Sequence, residues 1–191
     1  QYTSTRQVAL RSSENQNGRP KSISLFGSAN FTMDSIQLTK QRIVQSNTSV
    51  SQYSYQGLTI ESNNGPLPDL DSTKVEVKNI GDLFNQNKIY TETFIQTNAS
   101  EENLKALDGK SPQILHIATH GFFSPEPDKK DRGFDQNNNY TLADDPLLRS
   151  GLYLAGANYA LSGKKPIDGV EDGIVTAYEI SQLDLSSTEL V

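Results

Sequence analysis

The chain has 191 residues, a formal charge of −6 and no cysteine, with a pI near 4.9 and a mean hydropathy of −0.58. That length suits one domain with a real core. No apolar stretch approaches the length that spans a bilayer, and a broad nucleic-acid surface would need clustered Lys and Arg that an acidic chain does not offer. Without cysteine there is neither a disulfide nor a thiolate metal site, which leaves the compartment open. Gln1 at the start and the rising apolar run that closes at Val191 suit a segment cut from a longer protein. No signal peptide is visible, and the setting expected is cytoplasmic.

Residues 1–21 are polar and patternless and are expected to be a tail or linker. Ser22 to Gly27 predicts a short strand closed by glycine. Residues 34–66, rich in Ser, Gln, Asn and Thr, predict a long polar insertion with one short helix near Ile36 to Val44. After Pro66-Leu67-Pro68, the stretch Asp69 to Asn87 places Val77, Ile80, Leu83 and Phe84 on one helical face. Ile89 to Gln96 alternates as a strand. Ser100 is placed to cap a short helix with Glu101 and Glu102 in its first turn and Leu104 and Leu107 inward, ended by Gly109. The strand Gln113 to Thr119 follows, and strand, helix, strand at these spacings implies a right-handed parallel crossover.

Ser124 to Asp145 is charged and asparagine-rich, which predicts a polar surface loop. Beyond it, Ser150 to Ala155 predicts a strand, Gly156 to Ser162 a turn or short helix, Pro166 to Gly173 a loop and Ile174 to Gln182 a helix. Thr188 to Val191 resembles the opening of a further buried strand. In open parallel sheets working groups collect at the carboxyl ends of strands. The segment Ile114 to Phe123 delivers His120-Gly121 to such an end.

The chain has only two histidines, His116 and His120. An imidazole takes and returns a proton near neutral pH, so a strand-end His followed by Gly suits general acid/base work; the plainer reading is a His that merely ends a strand. His116 lies four residues earlier, on the same face of an extended strand. Four residues of strand separate side chains by about 13 Å, too far for one zinc ion, so His116 is expected to be a buried, hydrogen-bonded core residue. Asp128, Asp131 and Asp135 lack EF-hand spacing and suit a solvated loop. Gly156 to Gly163-Lys164 fails the phosphate-loop spacing, and no Gly-x-Ser-x-Gly elbow is present. The Asn-x-Ser/Thr triplets at Asn30, Asn47, Asn98 and Asn139 are expected by chance in so Asn- and Ser-rich a chain. Near Glu171, the expectation is helix capping by Asp172 or Thr176 rather than substrate contact.

Five segments in register carry a resemblance. They are Leu25-Phe26-Gly27 with Phe31, Pro66-Leu67-Pro68 before a helix, Ile114 to Phe123, Ser150-Gly151-Leu152, and Glu171-Asp172-Gly173-Ile174-Val175-Thr176-Ala177-Tyr178-Glu179-Ile180. Together, from Ser22 to Val191, they resemble a CHAT domain, a caspase- and separase-like cysteine peptidase fold. The resemblance implies an α/β, caspase-like three-layer sandwich with a mostly parallel sheet and helices on both faces. It also implies a protein or peptide substrate, no cofactor, and a tetratricopeptide repeat module N-terminal in the same polypeptide. By resemblance His120 is the catalytic base, the Gly121 N–H is one oxyanion donor, and the nucleophile is a Cys on the strand after the Leu183-Asp184-Leu185-Ser186 region. These 191 residues stop short of that Cys and are expected to hydrolyse nothing alone. The alternative is a non-catalytic scaffold that binds protein partners.

Overall fold

The computed structural model describes residues 19–45, 65–124 and 145–191. Most of the expected N-terminal tail, of the 34–66 insertion and of the 124–145 loop lies outside the described residues, together with Asp128, Asp131, Asp135, Asn47 and Asn139.

Strand β1 (Ser22–Ala29) lies between β2 (Tyr90–Gln96) and β3 (Ile114–Ala118) in a three-stranded parallel sheet. Helix α1 (Ser35–Gln45) and helix α2 (Asp71–Gln86) fall between β1 and β2, and α3 (Glu101–Lys105) falls between β2 and β3. The chain therefore steps one way from β1 to β2 and back across β1 to β3. Right-handed crossovers made in opposite directions must put their helices on opposite faces of the sheet.

Packing agrees. Ile23 and Leu25 of β1 meet Val77, Ile80 and Phe84 of α2 on one face. Phe26, one residue out of phase, joins Leu104, Leu107 and Leu115 on the other and stacks on Phe94 at 4.4 Å. Both faces of β1 are covered, which explains its nearly unbroken burial. The mixed α/β, caspase-like expectation stands on this arrangement.

The structure redraws the buried stripe of α2. Thr73, Val77 and Gly81 form its most buried line, whereas Leu83 is 57 % exposed. Its first turn is tied to the end of β1 by Thr73, whose hydroxyl accepts from the Ser28 N–H at 2.7 Å and donates to the Leu70 carbonyl. Ser100 caps α3 as expected, accepting from the Asn103 N–H. Asp34 and Gln37 cap the start of α1 reciprocally.

A second, antiparallel sheet was not foreseen. It runs β4 (Gly121–Phe123), β5 (Ser150–Tyr153), β6 (Ile174–Thr176). Short helices α4 (Ala157–Leu161) and α5 (Ala177–Ser181) follow β5 and β6. The helix expected over Ile174 to Gln182 is thus a strand first. The β-branched Ile174-Val175-Thr176 pairs with Tyr153, Leu152 and Gly151, and the helix begins only where Thr176 caps it in a reciprocal box with Glu179. The strand expected over Ser150 to Ala155 ends at Tyr153, because Leu154 and Ala155 lead into Gly156 at φ +89°. At the far end, Leu190 makes a parallel bridge with Ile114 and so begins to extend the sheet beyond β3. Its side chain is 55 % exposed and that of Val191 80 %, so the expected burial of this strand is not met. No helix among the described residues is long and apolar enough to cross a membrane.

Candidate active site

Thr119 and His120 carry the chain from β3 of the parallel sheet into β4 of the antiparallel one. Two bonds strap this crossing to Tyr153: the Thr119 hydroxyl donates to the Tyr153 carbonyl, and the Tyr153 N–H donates to the His120 carbonyl at 2.9 Å. His120 is therefore held at the junction of the two sheets, at the carboxyl end of β3.

Among the described residues its ring meets Phe31 and Pro68. Phe31, just beyond β1, places its ring 5.1 Å away at 46°. Nε2 lies 2.9 Å from the carbonyl oxygen of Pro68, which precedes α2. A carbonyl only accepts, so Nε2 must carry the hydrogen, and in the neutral ring Nδ1 is left with its lone pair available as a base. Sequence reasoning singled out Pro66-Leu67-Pro68 but gave Pro68 no role toward His120. A backbone carbonyl leaves no side-chain signature.

Gly121 is exposed and opens β4 opposite Leu152. Because the Tyr153 N–H goes to His120, Gly121 and Leu152 form a non-hydrogen-bonded pair, and the Gly121 N–H points away from β5. A Cβ at Gly121 would meet the Gly151 oxygen at 3.4 Å, an ordinary contact, so packing does not demand glycine here. Gly151 is different: a Cβ there would collide with the Val175 carbonyl and the Phe122 ring, so this glycine serves the close spacing of β4, β5 and β6.

His116 departs from expectation. It is 30 % exposed, and its Nε2 lies 3.3 Å from Glu76 Oε1 of α2 without hydrogen-bond geometry. It therefore sits on the α2 side of the sheet as a partly exposed residue, not a buried, hydrogen-bonded one. His120 lies past the strand end against Phe31 and Pro68, and the two rings serve different neighbourhoods.

Nothing in the sequence reading anticipated a buried ionic cluster joining α3, the turn before β6, and α5. Lys105 Nζ lies 2.8 Å from Glu101, 3.1 Å from Glu171 and 3.0 Å from Glu179, and all four residues are buried. Glu101 also accepts from the Gly173 N–H, and Glu179 from the N–H and hydroxyl of Thr176. Burial pushes the Glu101 carboxyl well above the usual range, and the Lys105 charge only partly opposes it. Burial raises Glu171 as well. Asp172 presents surface to solvent, but its carboxyl is crowded by the protein around the cluster, and this desolvation pushes it up to about 6, against the Ile174 N–H it accepts and with the Glu179 charge adding to the rise. Burial alone would lower Lys105, but the Glu101 and Glu171 carboxylates outweigh it and hold the ammonium charged. Of the two capping candidates, Thr176 caps α5, while Asp172 closes a turn on Ile174. The one available sequence clue was Glu101 and Lys105 at i, i+4 on a short helix.

No curated protein and no solved structure matches the chain. A family model, the CHAT domain, matches residues 1–191. With that match across its whole length, the chain belongs to the CHAT-domain family of caspase-like, peptidase-related domains.

Proposed function

We propose that these residues form the histidine-bearing part of a cysteine endopeptidase domain, with His120 as general base toward a thiol that residues 1–191 do not contain. The observation that carries the reading is the Nε2 contact to the Pro68 carbonyl, which fixes the tautomer and leaves Nδ1 to take a proton. In the reaction Nδ1 takes the thiol proton, sulfur adds to the scissile carbonyl carbon, and the C–N bond breaks as the imidazolium protonates the leaving amine. Water then hydrolyses the thioester with the same ring as base. The Gly121 N–H, directed away from β5, suits the oxygen of the tetrahedral intermediate, a donor worth about 10² to 10³ in rate.

The thiol is proposed to arrive on a strand that continues the pairing begun at Leu190. The Glu189 N–H donates to the Gln113 carbonyl and the Leu115 N–H to the Leu190 carbonyl, so such a strand would run parallel to β3 toward His120. A tetratricopeptide repeat module in the same polypeptide and a cytoplasmic setting, which keeps a thiol reduced, belong to the same proposal. The absence of cysteine from all 191 residues favours a second reading for these residues alone, a partner-binding module without catalysis.

The test uses a longer protein that carries these residues and a cysteine on the strand beside β3. Cleavage of a mixed peptide library is expected, and it should vanish in His120→Ala. Cleavage indifferent to His120, or a parent protein with no cysteine there, would leave the binding module. The 191 residues alone are expected to cleave nothing.

A further inference from the structure

Asn158 is buried, 8 % exposed, in the short helix α4. Its side chain spends its polar groups on other segments rather than on its own helix. Oδ1 accepts from the Leu67 N–H at 2.8 Å, and Nδ2 donates to the Leu67 carbonyl at 3.1 Å and to the Thr32 hydroxyl at 3.0 Å. Its backbone N–H donates to the Phe31 carbonyl at 3.0 Å. The Phe31 ring and the Pro68 carbonyl that meet the His120 ring thus hang on one residue.

The clamp on Leu67 is two-pointed, so it fixes the orientation of that residue and not only its position. Leu67 stands between two prolines. The proline after it restricts Leu67 to extended backbone, and the ring of Pro68 fixes its own φ. Once Leu67 is clamped, little but the ψ of Pro68 remains to aim the carbonyl at His120. We propose that Asn158 is a positioning residue, which holds the Pro68 carbonyl where it keeps the His120 proton on Nε2 and thereby keeps Nδ1 basic. This rests on the reading of His120 as base.

The chain has only two histidines, so two-bond 1H–15N correlation of the labelled protein above pH 8 resolves both rings, with His116→Gln assigning them. In the native chain His120 should be the Nε2–H tautomer. Asn158→Ala should lower the ratio of Nε2–H to Nδ1–H by about fivefold, the worth of one neutral hydrogen bond. Thr32→Val, which removes one acceptor and leaves the Leu67 clamp, should lower it by about twofold. An asparagine with a purely structural role would reduce the urea midpoint and leave this ratio unmoved. A folded Asn158→Ala with the native ratio overturns the proposal, and where that variant does not fold, an unmoved ratio in Thr32→Val does so. A native His120 without excess Nε2–H would instead overturn the reading of the base itself.

Discussion

Glycine stands on both sides of the contact between β1 and α2, with opposite consequences for substitution. A Cβ at Gly27 would sit 2.5 Å from Val77 Cγ2 and 3.2 Å from the Thr73 carbonyl. The latter is backbone of the turn that ties α2 to β1, and it cannot yield cheaply. Gly27→Ala should therefore cost about 1–3 kcal/mol, the usual range for overpacking. Gly81 faces the same contact from the helix, but its Cβ would meet Leu25 Cδ1 at 3.4 Å, within ordinary contact. There Ala fills space and relieves the entropy of a helical glycine, so Gly81→Ala should gain about 0.5–1 kcal/mol. Urea denaturation of both variants checks the pair, and a loss at Gly81 or none at Gly27 would contradict the packing described for this face.

At the scale of elements, α3, the turn before β6, and α5 are joined through Lys105. Removing one partner of a buried ion pair typically costs 3–5 kcal/mol, because the charges left behind have neither water nor a counterion. Lys105→Met should fall in that range of about 3–5 kcal/mol, and Glu101→Gln, which leaves the lysine with Glu171 and Glu179, should cost less. Equal midpoints for Lys105→Met and the native chain would mean the cluster is not closed to water. This joint also marks where the sequence stopped being informative. The strands β1, β2 and β3, and the helix α2, announce themselves through period and run length, and the family segments placed His120 at a strand end. The pairing of β6 with β5 could not be read from three residues, which are too few to show a period. Its strand character comes from a ladder with residues more than twenty positions away. Glu171 and Glu179 carry the same letters whether solvated or buried, and only the packing that brings Lys105 between them tells the cases apart.

For the molecule as a whole, the cluster makes stability depend on pH in an unusual direction. Asp172 has a folded pKa of about 6 against an ordinary 3.8. An acid raised on folding binds its proton more tightly in the native state, so its favourable contribution is complete below the unfolded pKa. That contribution fades as pH rises and is gone above the folded one. The Asp172 residue is exposed to solvent, so screening leaves only part of that shift as stability, about 1 kcal/mol. The groups facing it are Glu101, Glu179 and Lys105, and the ammonium stays charged throughout this window. Other carboxylates act the opposite way: Asp184, lowered by its bonds to Ser186, stabilises above its unfolded pKa. A single native titration would mix the two trends, so the difference between native chain and Asp172→Asn is the proper quantity. Asn keeps an oxygen for the Ile174 N–H and cannot ionise. The variant should be the more stable protein at pH 7.5, and the gap should close between about pH 6 and pH 4 as the native carboxyl takes up its proton. Parallel stability curves across that range would mean that solvent fully screens the Asp172 carboxyl, and would remove the pressure that the buried cluster exerts on the turn leading into β6.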